Sequence, residues 1–212
     1  MGEFITIKEN VQAEIIEKKS KFIANMFYVE SCEEAEKIIK DTRKKYFDAK
    51  HNCIAYRVIE NEQIIERSND DGEPSGTAGG PMLNILQKNN FVNVLIIVTR
   101  YFGGILLGTG GLVRAYSSSL QKAIDKAQKV IKCQGQEILI EIDYSEFENF
   151  KYYCKKNDIY IEKVEYKDYI VCIIVLENCK KEILKKDYEG KKINIRNLKD
   201  LSKKYITKSI EK

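Results

Sequence analysis

The sequence predicts an α+β fold in two domains, and three observations carry the prediction. A chain of 212 residues can bury one large core or two small ones. Segments with an apolar period of two alternate with segments at helical spacing, so neither class of element runs alone. The composition also changes around Cys133-Gln134-Gly135. Nine of the twelve glycines and both prolines lie between Gly72 and Gly111, whereas the chain beyond Gly135 is rich in Tyr, Lys and Ile and nearly free of glycine. The boundary therefore falls between an N-terminal domain, 1–133, and a C-terminal domain, 134–212.

The first domain opens on two strands, Phe4–Lys8 and Gln12–Glu17, and a third at Phe22–Val29, where Phe22, Ala24, Met26 and Tyr28 alternate with their neighbours. Ser31 precedes Glu33 and Glu34 in capping position, and Ala35, Ile38, Ile39 and Thr42 recur at helical spacing, which predicts a helix to about Tyr46. Asn52–Ile59 and Gln63–Ser68 read as a hairpin around Glu60-Asn61-Glu62. A short helix starts at Pro81, whose fixed φ suits a first helical position. Phe91–Val98 is a nearly unbroken apolar run, as expected of a strand buried on both faces. Arg100 emerges from its end, with Phe102 pointing inward and Tyr101, of opposite parity, exposed. A long helix covers about Leu112–Ala127. In the second domain Glu137–Asp143, Ser145–Lys156, Ile159–Tyr166 and Tyr169–Leu176 read as strand, helix, strand and strand. A helix from about Cys179 to Lys186 and a strand within Lys192–Thr207 complete a ferredoxin-like βαββαβ order.

The glycines concentrate in two loops, 70–81 (DDGEPSGTAGGP) and 100–111 (RYFGGILLGTGG), each running into a helix start. Glycine serves where φ is positive or where backbone comes close to another group. Free N–H groups at a helix start attract anions, and Arg100 and Arg114 stand near the second loop, so a phosphate-sized anion is the natural ligand. The alternative is architecture, with Arg100 paired to Asp70, Asp71 or Glu73. Neither loop matches GxxxxGK[ST], and Gly108-Thr109-Gly110-Gly111 lacks the final glycine of GxGxxG, which disfavours Walker-type and dinucleotide readings.

Composition sets further bounds. Hydrophobic residues at 43% and charged residues at 32% place the chain among soluble globular proteins. No apolar run reaches the ~20 residues of a membrane span and no signal core follows the N-terminus, so a cytoplasmic protein is expected. Six cysteines without a CxxC pair read as reduced, mostly buried thiols, and neither a metal nor a cofactor is expected. The net charge of +4 hides a basic C-terminal stretch, which reads as a lysine-rich solvated face rather than a phosphate-binding tail.

The segments SNDDGEPSGTAGGP (68–81) and VTRYFGGILLGTGGLVRAYS (98–117), with HNCIAYR (51–57) upstream, resemble the signature segments of the YigZ/IMPACT family. The resemblance covers the chain to about residue 130; beyond it the likeness to bacterial members rests on size and element order. It implies an N-terminal α/β sandwich like the second domain of ribosomal protein S-five and a C-terminal domain like the fifth domain of elongation factor G, both common in translation. Eukaryotic members regulate translation by binding an activator of a stress kinase through an additional N-terminal domain that has no counterpart in this sequence, so that activity is not carried over. Among the motif positions that the resemblance singles out, which also include Gly72, Pro74, Phe102 and Tyr116, the expected ligand- or nucleic-acid-binding ones are His51, Asp70, Glu73, Gly76, Thr77, Arg100, Tyr101, Gly103, Gly104, Gly108, Gly110, Gly111 and Arg114. It brings no catalytic role with them.

The residues leave three readings open. An RNA- or ribosome-binding protein fits the mixture of arginine, glycine and aromatics in the second loop. An enzyme or binding protein for a small phosphorylated ligand could set Asp70, Asp71 and Glu73 around Mg²⁺, although no nucleophile or base is assignable and one His in the chain cannot supply a metallopeptidase ligand set. His51 and Cys53 share a strand face, but a thiol–imidazole pair there lacks a third orienting group. The last reading is a protein-interaction module, with a partner in translation and an oligomeric state that the sequence does not fix.

Overall fold

The computed structural model describes residues 3–209. It divides into a unit of Phe4–Ile131 and a unit built on Lys132–Lys208. The first unit is organised on an antiparallel sheet. Strands β1 (Phe4–Ile7), β2 (Val11–Glu17) and β3 (Ser20–Tyr28) precede helix α1 (Cys32–Lys45). Strands β4 (His51–Glu60) and β5 (Gln63–Asn69), helix α2 (Gly79–Lys88), strand β6 (Val94–Tyr101) and helix α3 (Thr109–Lys126) follow. The sheet order is β2-β3-β6-β4-β5, which puts β6 at its centre.

Strand alternation sends the two faces of this sheet to different cores. Phe22, Ala24, Met26, Cys53, Ala55, Ile96 and Val98 pack under α2 and α3, while Ile54, Tyr56, Val58, Leu95 and Ile97 pack under α1 with Ala35 and Ile39. β6 is thus apolar on both sides, as a strand covered on two faces must be. It begins three residues later than the apolar run suggests. Asn93 takes a left-handed φ of 56°, and its buried Oδ1 accepts from the Ile59 amide at 2.8 Å, so the run's first residues form a link and not the strand. The strand also ends later, at Tyr101, which carries Arg100 into it, opposite Phe22 on one neighbour and His51 on the other.

The helix starts follow local chemistry. Ser31 Oγ accepts from the Glu34 amide at 3.1 Å to cap α1, as its spacing predicts. α2 begins at Gly79, ahead of Pro81; proline is tolerated there because a first-turn N–H has no intrahelical acceptor to lose. α3 opens at Gly108, with φ of 70° and no side-chain cap.

The second unit continues through β7 (Lys129–Ile142), α4 (Phe147–Lys156), β8 (Tyr160–Tyr166), β9 (Ile170–Glu177), α5 (Asn178–Glu189) and β10 (Asn197–Ser209). β7 pairs with both β9 and β10, and β8 with β9, giving the ferredoxin-like order β10-β7-β9-β8. Phe147, Phe150 and Cys154 from α4 and Leu184 from α5 bury against Ile138, Ile140, Cys172 and Ile174. The mixed α and β composition in two units is the fold class the sequence predicts. Among the described residues no helix is long and apolar enough to cross a membrane.

Candidate functional site

A row across the sheet brings the site together. Phe22, Arg100 and His51 stand side by side on β3, β6 and β4, with α3 packed above them. Arg100 is 6% exposed, so its charge requires a partner, and Glu73 supplies it from the first glycine-rich loop. Glu73 Oε1 accepts from Arg100 Nη1 at 2.6 Å and from the Tyr116 hydroxyl at 2.8 Å, and it lies 4.0 Å from His51 Nε2. The guanidinium also stacks near the rings of Phe22 and Phe102, with centroids 5.4 and 5.5 Å away.

This pair forms the floor of a cleft of about 370 Å³. Pro74, Phe102, Leu106, Leu107 and Leu112 give it apolar walls, while Lys50, His51 and the Gly108-Thr109 start of α3 supply polar groups. A pocket of mainly apolar lining with a few convergent polar groups is the form that small-ligand sites take. The uncapped α3 N-terminus offers amide donors and a positive helix end. Chemically, the cleft can hold an anionic group beside Lys50 and a flat apolar body against Phe102.

Of the residues singled out from sequence, His51, Glu73, Arg100 and Gly108 line this cleft, and the others do not. Asp70 organises its own loop. Its Oδ1 accepts from the Ala78 and Gly79 amides at 2.9 and 2.8 Å and its Oδ2 from Gly76 at 2.8 Å, so the start of α2 is occupied by the protein's own carboxylate and is not a free anion site. Asp70→Ala is expected to cost about 1–3 kcal/mol, the range for stranding charge-assisted amide donors, measured as a shift in the urea midpoint. Gly76 turns with φ of 75°, and Thr77 Oγ1 donates to the Pro74 carbonyl at 2.6 Å, both within the loop. Asp71 accepts from Arg43 and from the Asn52 amide, so Asp70, Asp71 and Glu73 point to three different partners and do not converge on a cation. The one group of potential metal ligands among the described residues is Glu3, Cys133 and Glu177, and Lys208 Nζ already sits 2.7 and 2.8 Å from its two carboxylates.

The second loop departs from the sequence reading in three ways. Phe102 is 52% exposed and Tyr101 half-buried, because β6 stops at Tyr101 and strand parity no longer governs the next residue. Tyr101 donates to Asp48 at 2.8 Å, on the face opposite Arg100. Arg114 is exposed and lines a separate groove with Glu17 and Lys18, so it does not act with Arg100. Gly103 and Gly104 shape the loop, Gly104 with φ of 83°; Gly110 and Gly111 lie in the first turn of α3. Lys50 and Ser20, whose Oγ lies 3.5 Å from Arg100 Nη2, belong to the arrangement without standing among the expected positions, whereas Tyr116 is a motif position that the fold turns to the buried pair and not to a base. Nothing local marks Lys50 in a lysine-rich chain.

Cys53 completes the buried network without being a nucleophile. Its thiol donates to the Asp70 carbonyl at 2.9 Å and approaches the Tyr116 hydroxyl at 3.3 Å. Burial pushes it up to about 12, so it stays a thiol at neutral pH, and burial together with Cys53 and Glu73 likewise raises Tyr116. Burial holds Cys154 and Cys172 at about 12 as well. The unfolded chain ionises these thiols from about pH 9 while the folded chain does not, so stability falls as pH rises from about 9 towards 12. Thermal midpoints measured across that window are expected to decline, and exposed Cys179 is expected to react with a thiol reagent well before Cys53, Cys154 or Cys172.

The basic C-terminal stretch is largely engaged in surface ion pairs. Lys181 contacts Asp200 at 2.8 Å, Arg196 contacts Asp143 at 2.6 Å, and Lys204 bridges Glu137 and Glu162.

Comparison with known proteins gives a consistent match. The Impact N-terminal domain family model matches residues 18–124, which include four of the sheet's five strands (β3 to β6), both glycine-rich loops and the cleft. The IMPACT family member YvyE of Bacillus subtilis is 37% identical over 180 residues, covering 74% of this chain and 82% of that one. The IMPACT family member YigZ of Escherichia coli is 32% identical over 165 residues, covering 77% and 80%. A solved structure described as a hypothetical protein superposes with a TM-score of 0.64 at 27% identity, over 95% of this chain and 98% of the other.

Proposed function

Because this chain belongs to the IMPACT family, we propose that it is a translation-linked protein that binds RNA or the ribosome and receives a phosphate group at the start of α3. One observation carries the reading: the cleft combines an uncapped helix N-terminus, the exposed Lys50 and the exposed ring of Phe102 around a buried, internally neutralised Arg100–Glu73 floor. Amide donors and a lysine suit a phosphate, and an exposed ring suits an unstacked base. Arg100, being buried in an ion pair, shapes the cleft instead of contributing free charge. The translation setting comes from the family resemblance.

A protein partner is the second reading, favoured by Phe102, Ile105 and Leu106, which are exposed together in one loop. Co-sedimentation with ribosomes and with free RNA across a salt series separates the two. RNA binding predicts a loss on the order of tenfold between about 50 and 200 mM salt, and a further loss in Lys50→Glu and Phe102→Ala with the unfolding midpoint unchanged. Binding that ignores salt and both variants, or no binding at low salt, contradicts the proposal.

A further inference from the structure

We infer that Arg114 and the Lys18–Lys19 turn form a second phosphate subsite beside the cleft, for the next nucleotide of the same single-stranded RNA; this rests on the RNA reading and extends its footprint. Arg114 lines a groove of about 210 Å³ with Glu17, Lys18 and Gly111. Leu107 lines both this groove and the cleft, so the two adjoin across the start of α3. The other five arginines, Arg43, Arg57, Arg67, Arg100 and Arg196, each have a carboxylate within 3.4 Å. Arg114 has none among the described residues, and neither does Lys18 or Lys19. The Arg114 side chain lies back along the first turn of its helix, since a Cβ at Gly110 would stand 3.6 Å from its Nη1. Its free guanidinium therefore sits next to the amides proposed to hold the first phosphate.

The turn that brings Lys18 there is built against its own conformational preference. Glu17 pairs with Ser20, which leaves Lys18 and Lys19 as a two-residue hairpin loop with φ of 43° and 66°. A hairpin loop with both residues left-handed favours Asn followed by Gly, because a longer side chain is strained in that region. The β4–β5 turn meets the first demand with Asn61, whereas two lysines meet neither. Gly103 fixes the turn in place, its backbone lying so close that a Cβ would be 2.1 Å from the Lys19 carbonyl oxygen. Strain retained in a clamped turn beside a groove is accounted for by what its two cations do there. Lys18 and Arg114 outnumber Glu17, the one acid lining the groove, and Lys19 adds a third unpaired cation next to it. A planar guanidinium flanked by ammonium groups suits a phosphate, and a strand anchored at the start of α3 carries its next one over Leu107 into this groove.

The test is fluorescence anisotropy of a labelled oligouridylate across a salt series, with the intact protein, a Lys18→Asn/Lys19→Gly double variant and Arg114→Gln. The double variant removes two cations and supplies the residues the turn prefers, so stability and binding are expected to move in opposite directions. Its thermal midpoint is expected to rise by about 2–4 °C. Its affinity at low salt is expected to fall on the order of tenfold, and the slope of log affinity against log salt to shrink by about 1.4, or about 0.7 for each cation removed. Arg114→Gln is expected to lose about 0.7 of that slope with its midpoint unchanged. Unaltered affinity and slope in both variants, while Lys50→Glu still weakens binding, overturn the subsite and leave the RNA reading standing. No binding by the unmodified protein at low salt overturns the RNA reading and the subsite with it.

Discussion

Arg100→Ala is expected to lower stability by about 3–5 kcal/mol, the usual loss when one member of a buried ion pair is removed and the other charge is stranded. Glu73 would keep the Tyr116 hydroxyl but lose its countercharge in a site where both side chains are less than a tenth exposed. The guanidinium also stacks on Phe22, so part of the loss is packing. Replacing the pair together, Arg100→Met with Glu73→Gln, is expected to recover most of the loss, because no unpaired charge then remains buried. Urea unfolding of the single and double variants measures this. A near-neutral Arg100→Ala would mean that the pair does not hold the two loops together.

Gly103→Ala is expected to be the next most damaging change, at about 3 kcal/mol or more, through overpacking against backbone that cannot yield. A Cβ at Gly103 would lie 2.0 Å from the Lys19 carbonyl carbon and 2.5 Å from the Ser20 nitrogen, in the turn joining β2 and β3. Ser20 Oγ accepts from the Gly103 amide at 3.2 Å, so the contact is part of the fold and not incidental. Relief would require the second loop to leave the hairpin, moving Phe102 and the cleft wall with it. Gly110 is the control. A Cβ there meets only the flexible end of Arg114, and Gly110→Ala within α3 is expected to stabilise by about 0.5–1 kcal/mol. Thermal unfolding of the two variants should move in opposite directions.

The elements were legible where periodicity and capping are local. The alternation Phe22, Ala24, Met26 marks β3, and Ser31 with Glu34 marks the start of α1. β6 was displaced because Phe91 and Val92 look like strand residues, while the left-handed Asn93 that ends their link is recognisable only through its bond to Ile59. The glycine cluster marked the two loops that line the cleft, since close approach and positive φ leave a compositional trace. The partners within them left none. Pairing Arg100 with Glu73 and placing His51 beside it depends on the β4–β6 register, and Asp70 reaches amides six to nine residues ahead without any short motif to announce it. Strand parity sends Phe102 to the core, but parity ends one residue earlier, with the strand.

Amide chemical-shift mapping on addition of a short single-stranded RNA tests the central claim most directly. Shifts concentrated at Thr109, Gly110 and Gly111, with weaker ones at Lys50 and Phe102, are the predicted result. Shifts confined to the lysine-rich stretch beyond Cys179, with the start of α3 unmoved, would contradict it.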